Sequence, residues 1–164
     1  MSFKYFIPNA ITSGGLFLGL LSVFSATNGD LSGAAWLILL CVIIDKCDGI
    51  AARALSADSK FGIEMDSFSD FVTFGIAPGV LYLSLFNELY EPLSFPFFAS
   101  HFAVVVFVLC SSYRLARFNS VSSEKTDYFT GFPTTFCGGV TSSFFLTMEK
   151  QGWDGAIPYL PAAK

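Results

Sequence analysis

The chain has 164 residues, of which 53% are hydrophobic and 13% charged, and its mean hydropathy is +0.60. Soluble domains carry about 25% charged residues, so the composition excludes an ordinary soluble domain and indicates an integral membrane protein. A net charge of -4 with a single histidine also argues against a nucleic-acid partner.

Five hydrophobic stretches are long enough to cross a bilayer as α-helices, which takes about 20 apolar residues each. We expect these helices over residues 9–27, 31–55, 63–86, 95–119 and 132–148. The breaks at 28–30, 56–60, 87–92 and 121–131 are rich in turn-forming or charged residues. The runs are too long, and too uniformly apolar, for the alternating strands of a membrane barrel. The sequence therefore predicts an all-α, polytopic transmembrane helix bundle with five spanning helices.

The two ends of the chain carry weaker patterns. Residues 2–7 combine aromatic and basic side chains, which suit the membrane interface. Pro8 is expected to open the first helix, where a missing N–H costs little. Residues 156–163 resemble the start of another span, so we expect a truncated sixth helix. The chain is interpreted as a single domain over residues 1–164 that is incomplete at its C-terminus.

Basic residues are distributed unevenly between the two sides of this bundle. Seven of the nine fall on one side: Lys4, Lys46, Arg53, Lys60, Arg114, Arg117 and Lys125. The loops at 28–30 and 87–92, on the other side, contain none. Cytoplasmic loops carry the excess of Lys and Arg. The N-terminus and the segment 45–70 are therefore expected to face the cytoplasm. The membrane is expected to be the cytoplasmic (inner) membrane.

Four aspartates flank the break between the second and third predicted helices. Asp45 and Asp48 are three residues apart at the end of one helix, and Asp66 and Asp70 are four apart at the start of the next. Each pair therefore shares a helix face, and a short turn would bring the two faces together.

Carboxylates gathered at a membrane edge repel one another and are costly to keep ionised. Arg53 alone does not balance four negative charges, whereas two divalent cations would. Oxygen ligands favour hard ions, so Mg²⁺ or Mn²⁺ is expected. Paired metal ions are a recurring device in phosphoryl transfer.

Small residues and one arginine accompany these acids. Gly49, Ala52 and Gly62 leave room for a nucleotide or diphosphate to approach the helix backbone. Arg53 offers a fork of donors that matches phosphate oxygens. The alternatives are an ion pathway of a transporter for the acids and helix packing for the small residues.

The whole pattern is D-x-x-D-G-x-x-A-R-x8-G-x-x-x-D-x-x-x-D, from Asp45 to Asp70. It resembles the signature of the CDP-alcohol phosphatidyltransferase family at every position. The resemblance implies that Asp45, Asp48 and Asp66 hold the metal ions, and that Asp70 both contacts metal and deprotonates the acceptor hydroxyl. It also implies a CDP site lined by Gly49, Ala52, Arg53 and Gly62, and a homodimer formed through membrane helices.

Three further segments resemble the branch of this family whose acceptor is serine: 66–78 (DSFSDFVTFGIAP), 114–119 (RLARFN) and 131–134 (GFPT). The resemblance implies transfer of a phosphatidyl group from CDP-diacylglycerol to the hydroxyl of L-serine, with release of CMP, in phospholipid biosynthesis. Glycerol 3-phosphate, inositol and inositol phosphate are alternative acceptors. A further alternative is a protein that is not a phosphatidyltransferase, either a membrane ion transporter or a metal-binding structural protein. An archaeal ether lipid is an alternative to the diacyl donor.

Polar residues outside the signature are further candidates. Arg114 and Arg117 lie three apart at the cytoplasmic end of the fourth predicted helix, level with the aspartates. They are candidates for the serine carboxylate or a lipid phosphate, with topological anchoring as the alternative. Asn9 and Thr12, where the first helix begins, are candidates for contact with the diphosphate or its pocket, and helix capping is the alternative for Asn9.

Overall fold

The computed structural model describes residues 3–55, 59–121 and 133–151, and these ranges are almost entirely helical. The helices are α1 (Phe3–Thr27), α2 (Leu31–Ala54), α3 (Lys60–Asp70), a π-helical segment (Phe71–Ile76), α4 (Ala77–Leu89), α5 (Phe95–Val121) and α6 (Thr134–Gln151). No strand occurs within these ranges, which confirms the all-α prediction. Residues 131 and 132 of the segment GFPT (131–134) fall outside them, as do Lys125 and the expected start of a sixth span at 156–163.

Three stretches in the described part of the chain are long and apolar enough to cross a membrane: Phe6–Thr27, Lys60–Leu89 and Phe95–Ser120. These three stretches support the membrane assignment. The other two predicted spans are helical but less apolar. α2 carries Asp45, Lys46 and Asp48 towards its C-terminal end, and α6 is rich in Ser, Thr and Gly. The count of five spanning helices therefore stays a prediction.

The first helix begins earlier than expected. α1 already includes Phe3, and Pro8 lies inside it rather than at its first turn. A proline this close to a helix N-terminus removes only one hydrogen bond. The Thr12 hydroxyl oxygen lies 3.0 Å from the Pro8 carbonyl oxygen. The expectation that Pro8 opens the helix is wrong, because the helix continues through it.

A π-helical segment interrupts the third predicted helix directly after Asp70. α3, Phe71–Ile76 and α4 are continuous, and the Ala77 N–H donates to the carbonyl of Val72, five residues earlier. Pro78 follows at once, and it has no N–H to continue an α-helical hydrogen-bond ladder. The shift to five-residue spacing therefore occurs where proline breaks the normal pattern. π-helical turns are frequent at functional sites.

The core lies between α1, α2, α6 and the long helix Lys60–Leu89. Its largest fully buried side chains include Phe74 from the π-helical segment, Phe145 from α6 and Ile38 from α2. Small residues let α1 approach closely. A Cβ on Gly19 would lie 2.7 Å from Thr73 Oγ1, and Ser22 donates to the Ala34 carbonyl of α2 at 2.9 Å.

α5 runs antiparallel to the long helix Lys60–Leu89. A Cβ on Gly79 would lie 2.9 Å from Val108, and one on Gly75 would lie 3.3 Å from Ser111. Farther along, the Asn119 amide donates to the Ser67 hydroxyl at 3.0 Å. This register places Arg114, one turn beyond Ser111, level with the start of the π-helical segment.

Candidate active site

Three of the four aspartates converge where the end of α2 meets α3. Asp45, Asp48 and Asp66 each place a carboxylate oxygen within 4.8 Å of the others. Asp48 is buried, and the other two are half-buried. Residues 45 and 48 lie in the last turns of α2, and residue 66 lies two turns into α3, so two helices supply one cluster.

The fourth aspartate joins this cluster from the last position of α3. The Asp70 side chain lies within hydrogen-bonding reach of Asp45. Asp70, Asp45 and Asp48 also line a small cavity of about 10 Å³. The structure therefore brings together all four acids that the sequence pattern singled out.

Positive charge around the cluster is scarce. Among the described residues, one ion pair involves these acids, between Lys46 Nζ and Asp45 Oδ2 at 3.9 Å, and Lys46 is largely exposed. An exposed pair of this kind contributes little. The Arg53 guanidinium lies over Gly49, with Nη1 3.5 Å from the position of a Cβ there. Within the ranges that the structure describes, four neighbouring carboxylates thus lack matching cations.

The donor set fits a hard divalent cation. Ligands of one Mg²⁺ lie about 2.1 Å from the ion, so two of them are at most ~4.2 Å apart. Adjacent ligands of one octahedral ion lie closer, about 3.0 Å apart, so oxygens already within 4.8 Å of one another converge on one ion after shifts of about 1 Å or less. All-carboxylate oxygen donors favour Mg²⁺ or Mn²⁺ over zinc. The identity and number of ions remain predictions.

A cleft of about 210 Å³ adjoins the acids, between α1, the end of α2 and the start of α3. Asp48 and Asp66 form part of its wall. The four residues expected to line a CDP site also line it: Gly49, Ala52, Arg53 and Gly62. The cleft and the acid cluster therefore share a wall. A nucleotide bound in the cleft would have its diphosphate beside the carboxylates.

Residues outside the signature complete the cleft. Asn9 and Thr12, named as candidates from the sequence, both line it, together with three residues that sequence reasoning missed: Pro8, Ser59 and Ile63. Ser59 is the N-cap of α3 and accepts a hydrogen bond from the Gly62 N–H at 3.0 Å. A serine three residues before a glycine at a helix start is a capping signal that would have identified Ser59.

Gly62 is confined by two polar side chains. A Cβ there would lie 3.0 Å from Ser59 Oγ and 3.3 Å from Asn9 Oδ1. Asn9 thus faces the start of α3 across the cleft. Capping of α1 by Asn9 is excluded, because Asn9 lies inside that helix.

The two arginines of α5 differ in their surroundings. Arg114 is half-buried and donates from Nη1 to Thr134 Oγ1, at the start of α6, at 2.7 Å. Its Nε is buried, with no hydrogen-bond partner in the described part of the chain. Arg117 is exposed. Neither side chain lines the cleft beside the aspartates.

Comparison with known proteins connects this geometry with a family. Residues 5–162 match the sequence profile of CDP-alcohol phosphatidyltransferases. The chain belongs to this family. The match begins at Tyr5, within α1, and includes all the other described helices. Among them are α2 and α3, which carry the four aspartates.

Several curated relatives carry a name that includes an acceptor. The chain is 37% identical over 131 residues to a CDP-diacylglycerol–serine O-phosphatidyltransferase of Helicobacter pylori, covering 79% of this chain and 52% of the relative. It is 37% identical over 133 residues to the protein of that name in Bacillus subtilis, covering 81% and 71%. An archaetidylserine synthase of Methanothermobacter thermautotrophicus is 34% identical over 149 residues, with 86% and 58% covered. The chain spans about half the length of the Helicobacter relatives.

Proposed function

We propose that this chain transfers a phosphatidyl group from CDP-diacylglycerol to the hydroxyl of L-serine and releases CMP, in phospholipid biosynthesis. The observation that carries the proposal is the cluster of Asp45, Asp48 and Asp66, with Asp70 beside it, that shares a wall with the cleft of Gly49, Ala52, Arg53 and Gly62. The names of the relatives support serine as the acceptor. The archaeal relative is named for a different lipid product, so the diacyl donor is part of the proposal.

In this proposal Asp45, Asp48 and Asp66 hold Mg²⁺ or Mn²⁺, with two ions in all, and Asp70 completes the ligand set. When bound, such ions stabilise the charge on the transferring phosphoryl group and on the leaving oxygen. The protein's own contribution is to hold four carboxylates from two helices in one place. Arg53, over Gly49 at the rim of the cleft, donates to phosphate oxygens.

Asp70 acts as the general base. It takes the proton from the serine hydroxyl as the hydroxyl oxygen forms a bond to the lipid-side phosphorus. The bond from that phosphorus to the oxygen of CMP breaks, and CMP leaves with the electron pair. Asp70 suits this task because it lies at the inner edge of the cluster, beside Asp45 and the small cavity. Asp48 and Asp66, by contrast, line the nucleotide cleft.

For the acceptor we propose Arg114 as the partner of the serine carboxylate. Its guanidinium is half-buried, is fixed by Thr134, and lies level with the turn that follows Asp70. An arginine side chain can make a bidentate contact with a carboxylate. Arg117 is exposed, which suits contact with a lipid phosphate or topological anchoring. A phosphorylated acceptor would want a denser basic pocket than these residues provide.

We also propose that the acids face the cytoplasm, in the inner membrane, and that the donor lipid enters from the cytoplasmic leaflet with its acyl chains still in the bilayer. The distribution of Lys and Arg supports this orientation. A homodimer formed through membrane helices is proposed from the family resemblance alone.

The test is an assay of purified protein with CDP-diacylglycerol and a panel of alcohols: serine, glycerol 3-phosphate, inositol and inositol phosphate. CMP and the lipid product are measured for each. Serine-dependent CMP release is expected. Preference for another alcohol would reassign the acceptor, and metal binding without CMP release from any alcohol would favour an ion transporter or structural protein.

The role of Asp70 is tested by Asp70→Asn, with Glu64→Gln as the matched control. Glu64 lies on the same helix but lines a groove towards α5, away from the cluster. Asp70→Asn should abolish CMP release while the protein still binds CDP-diacylglycerol, and Glu64→Gln should remain active. Normal turnover by Asp70→Asn would remove the proposed base.

A further inference from the structure

α1 forms a third wall of the acid cluster although it contributes none of the acids. Thr12 on α1 is buried, with 5% of its surface exposed. Its hydroxyl lies 3.1 Å from Asp48 Oδ2 and 3.0 Å from the Pro8 carbonyl. A hydroxyl has one proton to donate, and a carboxylate is the stronger acceptor of the two because it carries charge.

The same residue is also held by α3. The Ser69 hydroxyl, next to Asp70 in the chain, donates to the Thr12 carbonyl at 3.3 Å. Thr12, Asp48 and Ser69 are all buried. Thr12 of α1 therefore contacts both helices that carry the acids. Its side chain contacts α2, and its backbone carbonyl contacts α3.

The close approach of α1 depends on small residues one and two turns along from Thr12. A Cβ on Gly15 would lie 3.4 Å from Ile44 and 3.6 Å from Ser69 Oγ, and Gly19 lies against Thr73. The position of the Thr12 hydroxyl is thus fixed by backbone packing as well as by its own hydrogen bonds.

We propose that Thr12 is a positioning residue for Asp48. By donating to Oδ2 it fixes the orientation of a buried carboxylate and leaves the other oxygen, Oδ1, for a cation shared with Asp45 and Asp66. This inference rests on the proposed metal-dependent function. Polar groups that orient a metal ligand from outside the ligand set typically change metal affinity ~10- to 100-fold when removed.

The test is Mn²⁺ binding to the purified full chain, without substrates, followed by electron paramagnetic resonance of the free ion. Thr12→Val removes the hydroxyl at nearly constant shape, and Thr12→Ser keeps it. Thr12→Val should bind Mn²⁺ at least about 10-fold more weakly, and Thr12→Ser should bind close to wild type. Thr12→Ala replaces the valine variant in the same comparison if that variant does not fold.

The matched control is Ser22→Ala. Ser22 is another buried hydroxyl of α1 that donates to α2, at the Ala34 carbonyl, but it lies far along the helix from the acids. Its Mn²⁺ affinity should equal that of wild type. Wild-type affinity in both hydroxyl-free variants of Thr12, or an equal loss in Ser22→Ala, would overturn the inference.

The metal measurement separates this inference from the proposed function. If Thr12→Val binds Mn²⁺ normally while the wild-type protein releases CMP with serine, the positioning role fails and the function stands. If the wild-type protein releases no CMP, the function fails, whereas the comparison of Mn²⁺ affinities still decides whether Thr12 orients Asp48.

Discussion

Gly49→Ala should change the stability of the protein and its catalytic use of the nucleotide in opposite directions. Gly49 lies inside α2 and lines the cleft. Among the residues that the structure describes, a Cβ there would meet only the Arg53 guanidinium, at 3.5 and 3.9 Å, which are ordinary contact distances. Glycine in a helix interior is about 0.5–1 kcal/mol less favourable than alanine. The variant should therefore be as stable as wild type or more stable, by up to ~1 kcal/mol.

Catalysis should respond in the opposite direction. The added methyl group projects into a cleft of about 210 Å³, beside the guanidinium proposed to hold phosphate. A misplacement of reacting groups by about 1 Å can cost ~100-fold in rate. We expect kcat/KM for CDP-diacylglycerol to fall by about that factor, measured as CMP release at varied lipid concentration, with thermal unfolding in the same detergent.

Gly14→Ala is the matched control for this prediction. A Cβ on Gly14 would meet no atom of the described ranges within 4 Å, and the residue does not line the cleft. It should gain similar helix stability and keep wild-type kinetics. Wild-type kcat/KM in Gly49→Ala would show that no nucleotide approaches the helix there. A clear loss of stability would instead identify Gly49 as a packing residue.

Three other perturbations test separate parts of the molecule. A chelator should stop CMP release, and Mg²⁺ or Mn²⁺ should restore it; full activity in excess chelator would contradict the metal proposal. Gly19→Ala should destabilise the protein by about 1–3 kcal/mol, because its Cβ would lie 2.7 Å from Thr73 Oγ1 and 3.2 Å from Thr73 Cα. The loss of stability should be measured as a lower Tm. An unchanged Tm would argue against this close packing. Arg114→Gln should raise KM for serine much more than KM for CDP-diacylglycerol, whereas Arg117→Gln should change neither much; equal effects of Arg114→Gln on both substrates would indicate a role in anchoring α6.

Spacing along a helix predicted most of the site because its chemistry is concentrated in one short segment. Asp45 and Asp48 must share a face of α2, and Asp66 and Asp70 a face of α3, wherever the rest of the chain lies. The connection between them is only a few residues long, which leaves few ways to keep the two faces apart. The meeting of the four carboxylates therefore followed from local periodicity and one short connection.

The contribution of α1 was harder to predict because it depends on tertiary packing. Pro8 lines the cleft from a helix some 40 residues away in sequence from Asp48, and no local pattern connects them. The π-helical segment was also missed. The shift in hydrogen bonding lies just before Pro78, between Val72 and Ala77. The hydropathy pattern of a sequence does not show whether a backbone N–H donates to the carbonyl four residues earlier, as in an α-helix, or five residues earlier, as in a π-helix.

The division of labour between the helices follows from what a membrane permits. Helices in a bilayer associate through close packing and hydrogen bonds, because burial of apolar surface gives little advantage over lipid. α1 meets its neighbours through small and hydroxyl-bearing residues: Gly15 and Gly19 set its distance from them, and Thr12 and Ser22 supply hydrogen bonds. An apolar helix can thus fix the geometry of carboxylates carried by less apolar ones. Substitutions at the glycines should change stability first, and substitutions at Thr12 should change metal affinity first.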